Sequence, residues 1–125
     1  MTQTILIAAT DPNIIYLLQR YAEASGFRVV RCGYEKDLLL LIKQENPVLI
    51  VLEVEQPEAA WRESLRRLKA DPGAKHIPVM AYSYFDDMVC SPDDEIASYL
   101  QKSVMYNDFV SAMEKAGVHP VDLAE

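Results

Sequence analysis

The sequence predicts a doubly wound α/β domain, a three-layer α/β/α sandwich built on a five-stranded parallel sheet. Three observations support this prediction. Short apolar runs alternate with segments of helical periodicity along the chain. The run Val48–Leu52 is apolar throughout, which is typical of a parallel strand covered on both faces. The length of 125 residues suits one domain and is too short for two.

The first strand and helix are predicted from the amino-terminal segment. Thr4–Ala9 is a short apolar run, and Asp11-Pro12 follows it. Asp caps the free amides of a first helical turn and Pro fits the first helical position, so this pair indicates a helix start. The buried face of that helix has residues spaced at i, i+3, i+4 and i+7: Ile14, Leu17, Leu18 and Tyr21. Gly26 provides a left-handed stop.

The middle of the chain continues this alternation. Phe27–Cys32 predicts a second, more exposed strand. A second helix follows with Leu38, Leu41 and Ile42 inward, and then comes the central strand Val48–Leu52. A third helix has Trp61, Leu65 and Leu68 facing inward. Its other side is basic, but acidic residues lie close by, which favours a solvated helix face over a binding patch.

The last third predicts two strands and one helix. Val79–Tyr82 predicts the fourth strand, ending at Ser83, and Ala97–Gln101 predicts the fifth, ending at Lys102. The inner face of the last helix consists of Phe109, Val110, Met113 and Ala116, and Gly117 ends it. We expect residues 85–95 to be the least ordered internal segment, with a short or remodelled helix. The domain is expected to span residues 1–118, with a tail at 119–125.

Alternating strands and helices joined by right-handed crossovers favour the strand order 2-1-3-4-5. In such a sheet, ligands and chemistry gather beyond the carboxyl ends of the strands. Glu53 follows the central apolar run and is therefore the centre of the predicted site. Ala9-Thr10-Asp11, Ser83 and Lys102 follow the neighbouring strands and are expected around it.

Composition excludes several classes of function. The net charge is −7, which disfavours direct nucleic-acid binding because that requires a basic face. The two cysteines form no CxxC pair or zinc spacing. No apolar run approaches a membrane span, and the amino terminus lacks the pattern of a signal peptide. We expect a cytoplasmic protein with no membrane association and no cofactor.

Four segments in order resemble the receiver domain of two-component response regulators. ILIAATDPN is similar to the family's first strand and acidic turn, and PVLIVLEVEQP to the strand that carries the phosphoacceptor. LRRLKADPGAKHIPVMAYS and ASYLQK are similar to the passages that end at the family's Ser or Thr and at its Lys. The resemblance covers essentially the whole chain and implies a CheY-like, flavodoxin-like fold.

The resemblance also implies roles for individual positions. Receivers accept a phosphoryl group from a histidine kinase on an aspartate, beside two acids that hold Mg²⁺. Here Glu53 occupies the phosphoacceptor position, and Ala9 and Thr10 occupy the acid pair. Asp11 becomes a metal ligand only if the register slips by one residue, so otherwise no metal site is expected. Ser83 and Lys102 match the phosphoryl-binding residues, and Tyr99 matches the aromatic residue that changes rotamer on switching.

These departures predict an atypical receiver, a non-enzymatic module that signals by protein contacts without normal Asp phosphorylation. The alternative is a working phosphoacceptor that uses Asp11 and Glu53 for Mg²⁺. A nucleotide or flavin binder is disfavoured because no Gly-rich loop follows the first strand. The expected partner is a histidine kinase or a downstream effector, bound through the family's helix 4, strand 5 and helix 5, and a homodimer is also open.

We also expect an ion pair between Glu53 and Lys102 in the predicted cleft. Both residues follow strands that line one cleft, and opposite charges at close range favour each other's charged form. We expect the mouth of this cleft to be wet, so that the pair contributes about 0–1 kcal/mol to stability. Tyr99 is open between a switch residue and simple packing at the sheet edge.

Overall fold

The sheet has five parallel strands, as predicted. A computed structural model describes residues 2–32, 38–54, 59–83, 96–101 and 105–120. The strands are β1 Thr4–Ala8, β2 Arg28–Cys32, β3 Leu49–Val54, β4 Val79–Ser83 and β5 Ser98–Gln101. The helices in the described residues are α1 Pro12–Ala24, α2 Leu38–Glu45, α3 Ala59–Ala70 and α4 Tyr106–Lys115. The strand order β2-β1-β3-β4-β5 confirms the predicted fold class.

The sheet separates two apolar cores. Alternate residues of the central strands face opposite sides, because side chains in a strand alternate. Ile5, Ile7, Leu49 and Val51 pack on the side of α1 and α4. Leu6, Ala8, Ile50 and Leu52 pack on the side of α2 and α3. This double coverage explains why the central strand is apolar without interruption.

Local signals start and end the helices as the sequence predicts. The Asp11 side chain accepts a hydrogen bond from the backbone N–H of Asn13 at 2.9 Å and caps α1, with Pro12 in the first turn. Gly26 after α1 and Gly117 after α4 have φ angles of 92° and 88°. These left-handed values favour glycine, so both glycines act as helix stops.

The central strand is longer than its apolar run. It continues through Glu53 and Val54, which stand in register with Tyr82 and Ser83 of β4. Val54 is buried in the core on the side of α3, and this burial holds the carboxyl end of β3 in the sheet. Glu53 is therefore part of the strand and does not lie beyond it.

Three expectations concern residues outside the described parts of the chain. They are the remodelled fourth helix and low order of residues 85–95, the position of Lys102, and the conformation of the tail beyond residue 120. None of the helices in the described residues has the length and apolar content of a membrane-spanning segment.

Candidate functional site

The predicted site lies where β1 and β3 end side by side. These two strands are hydrogen-bonded neighbours, and Ala8 of β1 stands in register with Leu52 of β3. Thr10 and Glu53 follow these residues and therefore come to the same edge of the sheet. Glu53 is only 4% exposed, in contrast to Thr10, which is exposed. The mouth of the cleft was expected to be wet, but the Glu53 side chain itself is buried.

Thr10 donates two hydrogen bonds to one oxygen of Glu53. The backbone N–H of Thr10 lies 2.9 Å from Oε1, and the Thr10 hydroxyl lies 3.0 Å from the same atom. Hydrogen bonds to an ionised carboxylate are stronger than those between neutral groups. Two such bonds offset part of the cost of removing the carboxylate from water.

The direction of the Thr10 amide follows from the strand geometry. In a parallel sheet, the amides of successive residues point to opposite neighbouring strands. The Ala9 N–H donates to the Cys32 carbonyl of β2 at 3.0 Å. The next amide, that of Thr10, consequently points toward β3, where the Glu53 side chain accepts it. The backbone of β1 thus aims one donor at Glu53, and the threonine side chain adds the second.

Asp11 is placed differently from Thr10. Its Oδ1 accepts the Asn13 amide at the start of α1, so this carboxylate caps the helix. Among the described residues, no group of three or more His, Cys, Asp or Glu side chains could hold a metal ion.

A divalent cation of the kind that receivers use does not fit the side chains at these positions. Mg²⁺ is bound through carboxylates, phosphate oxygens and water. Ala9 offers a methyl group, and Thr10 offers a hydroxyl that already donates to Glu53. The arrangement suits a carboxylate held by hydrogen-bond donors, and positions 9 and 10 contribute no carboxylate that would attract a cation.

Two of the other predicted residues lie on the neighbouring strands. Ser83 ends β4 and is buried, in register with Val54 of β3 and Gln101 of β5. Tyr99 lies on the edge strand β5 and is 43% exposed, so its side chain points outward. Lys102 lies outside the described residues, and its pairing with Glu53 stays a prediction.

The contact between Thr10 and Glu53 is the feature of the site that sequence reasoning missed. The two residues are 43 positions apart. The available signal was a hydroxyl side chain in place of an acid after β1, opposite a glutamate on the neighbouring strand. Treating Ala9 and Thr10 only as lost ligands overlooked the ability of threonine to donate.

The chain is similar to curated proteins over about two thirds of its length. It is 31% identical over 85 residues to the polar-differentiation response regulator DivK of Brucella ovis, covering 68% of this chain and 69% of that protein. The DivK protein of Brucella anthropi is 29% identical over the same extent. No family model matches the chain.

Solved structures share the fold over almost the whole chain. The bacteriophytochrome response regulator RtBRR superposes with a TM-score of 0.81 at 23% identity, covering 100% of this chain and 84% of that one. A CheY-like response regulator receiver domain from Methylobacillus flagellatus superposes with a TM-score of 0.77 at 17% identity, covering 93% of this chain and 99% of that one. At these identities the structural likeness supports the fold alone.

Proposed function

Because the chain belongs to the response regulator receiver family, we propose that it is an atypical receiver domain. In this proposal it signals through protein contacts without the usual phosphorylation of an aspartate. One observation supports it above the others: the residue at the phosphoacceptor position is a buried glutamate whose Oε1 accepts two hydrogen bonds from Thr10. Thr10 itself occupies an acid-pair position.

Two physical effects of these replacements act in the same direction. A glutamate carries its carboxylate about one bond length further than an aspartate, and misplacement by about 1 Å can reduce a rate about 10²-fold. Phosphoryl transfer also requires metal ions that neutralise the developing charge. Ala9 and Thr10 contribute no carboxylate for such an ion. We infer that either replacement alone impairs phosphoryl transfer, and that both together abolish it in practice.

The proposed partner surface comprises β5 and the start of α4. Three large hydrophobic side chains are exposed there: Tyr99 at 43%, Met105 at 67% and Tyr106 at 37%. Aromatic side chains and methionine are enriched in protein interfaces. α4 is the described helix that follows β5, as the family's fifth helix does, so this surface includes part of the expected partner face. A histidine kinase or an effector protein is the partner class we propose.

The alternative, a phosphoacceptor that uses Asp11 and Glu53 for Mg²⁺, has weaker support. The Asp11 carboxylate caps α1 through Asn13, and an N-cap aspartate contributes about 1 kcal/mol to helix stability. Recruiting Asp11 to a cation would compete with that hydrogen bond. Glu53 is also engaged by Thr10, so both candidate ligands already have hydrogen-bond donors.

The test is phosphorylation of the purified chain by acetyl phosphate with Mg²⁺, followed by intact-mass measurement. We expect no stable increase by one phosphoryl group, while a receiver domain with the full acid set, treated in parallel, gains it. An increase in mass that disappears in Glu53→Gln would overturn the proposal. The triple variant Ala9→Asp/Thr10→Asp/Glu53→Asp sharpens the result, since a gain of phosphorylation in it would assign the loss to these three positions.

A further inference from the structure

We propose that Thr10 is a positioning residue that holds the Glu53 carboxylate in place of a divalent cation and makes this cleft insensitive to Mg²⁺. This inference rests on the proposed function and extends it, because it assigns a present role to a position that otherwise only lacks an acid. It concerns how the site is held, and its test is separate from phosphorylation.

The need for a positioning residue follows from burial. A carboxylate that is 4% exposed has lost most of its water, and hydrogen-bond donors or an opposite charge offset part of the cost of burying it. Thr10 supplies two donors at 2.9 and 3.0 Å, both to Oε1. A carboxylate oxygen has two lone pairs, so these hydrogen bonds use the acceptor positions of that atom. A cation approaching Oε1 would have to displace them.

The side chains of Thr10 and Glu53 match each other in length and in chemistry. Every residue except proline would offer the backbone N–H at position 10, and the threonine hydroxyl adds a short second donor to the same carboxylate oxygen. The longer glutamate extends its carboxylate one methylene further than aspartate from β3 toward the end of β1. The pair thus joins two neighbouring strands at the edge of the sheet where function is expected.

An acid at position 10 would reverse the electrostatics. Its carboxylate would lie near Glu53, and like charges at such distances disfavour the charged forms of both groups. A divalent cation would then relieve the repulsion. The choice between threonine and aspartate at this position therefore decides whether the cleft is stable without a cation or requires one.

Two matched pairs of variants test this role in the 125-residue chain. Thr10→Val removes the hydroxyl at nearly constant shape, while Thr10→Ser keeps it. Thr10→Asp introduces the charge, while Thr10→Asn has the same shape without it. Each protein is titrated with MgCl₂ and followed by amide NMR shifts and by the thermal unfolding midpoint.

The expected pattern distinguishes positioning from general structure. The parent chain, Thr10→Ser and Thr10→Asn show no saturable Mg²⁺ response. Thr10→Asp shows saturable amide NMR shifts at residues 9–11 and 53. Without Mg²⁺ its thermal unfolding midpoint is lower than that of the parent chain, and the midpoint rises as Mg²⁺ is added. Thr10→Val moves the side-chain NMR signal of Glu53 and speeds hydrogen exchange of the amide at position 10. Thr10→Ser leaves both as they are in the parent chain.

The opposite results overturn the inference. A saturable Mg²⁺ response of the parent chain without phosphorylation would contradict the positioning role of Thr10 but not the proposed function. Phosphorylation at Glu53 would instead contradict the proposed function. Thr10→Val with an unchanged Glu53 signal, or equal Mg²⁺ responses in Thr10→Asp and Thr10→Asn, would also contradict the positioning role. If Thr10→Val does not fold, the Mg²⁺ responses of Thr10→Asp and Thr10→Asn still test the positioning role.

Discussion

The body of β3 and its carboxyl end belong to one strand but obey different constraints. Leu49–Leu52 are fully buried and pack alternately on the two cores. Any set of apolar side chains of suitable volume could fill these places, because burial is non-directional. Glu53 is almost as buried, yet its carboxylate accepts two directed hydrogen bonds from Thr10. Residues with similar burial therefore meet different requirements. The body of the strand needs apolar side chains of suitable volume, and its end needs a specific hydrogen-bonded partner.

This contrast separates stability from function within a few residues. Changes in the body of the strand should alter the free energy of unfolding and leave the chemistry of the cleft alone. Changes at its end should alter the free energy of unfolding less and the chemistry of the cleft more.

The largest effect is expected in the apolar body of β3. Leu52→Ala removes a fully buried side chain from the core on the side of α3, and such truncations cost about 2–5 kcal/mol. Leu40→Ala, at a leucine of α2 that is 57% exposed, is the matched control and should change stability by less than about 0.5 kcal/mol. Chemical denaturation measures both. Similar losses in the two variants would contradict the assignment of Leu52 to the core.

A smaller stability effect and a larger functional one are expected at the end of β3. Glu53→Gln keeps a carbonyl acceptor for Thr10 but removes the charge, so we expect a loss of about 1 kcal/mol. If Glu53 and Lys102 form the predicted ion pair, Glu53→Gln and Lys102→Met should each shift the NMR signals of Tyr99. The double variant should then add little to either single change. Fully additive shifts would rule out the coupling.

The smallest effect is expected at a half-buried carboxylate that follows α3, and it depends on pH. Asp71 accepts the Gly73 amide at 2.7 Å and lies 3.1 Å from the Lys43 ammonium. The Gly73 hydrogen bond first, and Lys43 second, lower the pKa of Asp71 below its ordinary value. A lowered pKa in the folded state stabilises the fold above the unfolded-state value, about 3.9, and this contribution is lost as pH falls through the folded-state pKa.

Asp71→Asn tests this direction. Its unfolding free energy should be lower than that of the parent chain at neutral pH, and the difference should shrink in acid. Lys43→Met removes the ammonium but keeps the Gly73 hydrogen bond, so it should show a smaller difference of the same sign. A deficit of Asp71→Asn that is the same at neutral and acidic pH would show that the charge of Asp71 is not its cause.

Much of the fold could be predicted because its signals are local or periodic. Asp11-Pro12 caps and starts α1, and Gly26 and Gly117 stop helices with positive φ angles, as their positions in the sequence indicate. The uninterrupted apolar run of β3 predicted double coverage, which the two cores confirm. The strand order followed from general rules for crossovers, without knowledge of any single contact.

The amino-acid sequence alone was enough to predict the fold class and the residues that end the central strands, because apolar periodicity, caps and turn residues act over a few positions along the chain. The contacts between the residues at the strand ends became visible only in the folded structure. The amide and hydroxyl of Thr10 meet Glu53 because the register of β1 and β3 brings together groups that are 43 residues apart. Glu53 is also buried, at 4% exposed, although its charge would favour an exposed position. A hydrogen bond is sensitive to distances of a few tenths of an ångström, and such distances are set by packing rather than by any pattern along the chain.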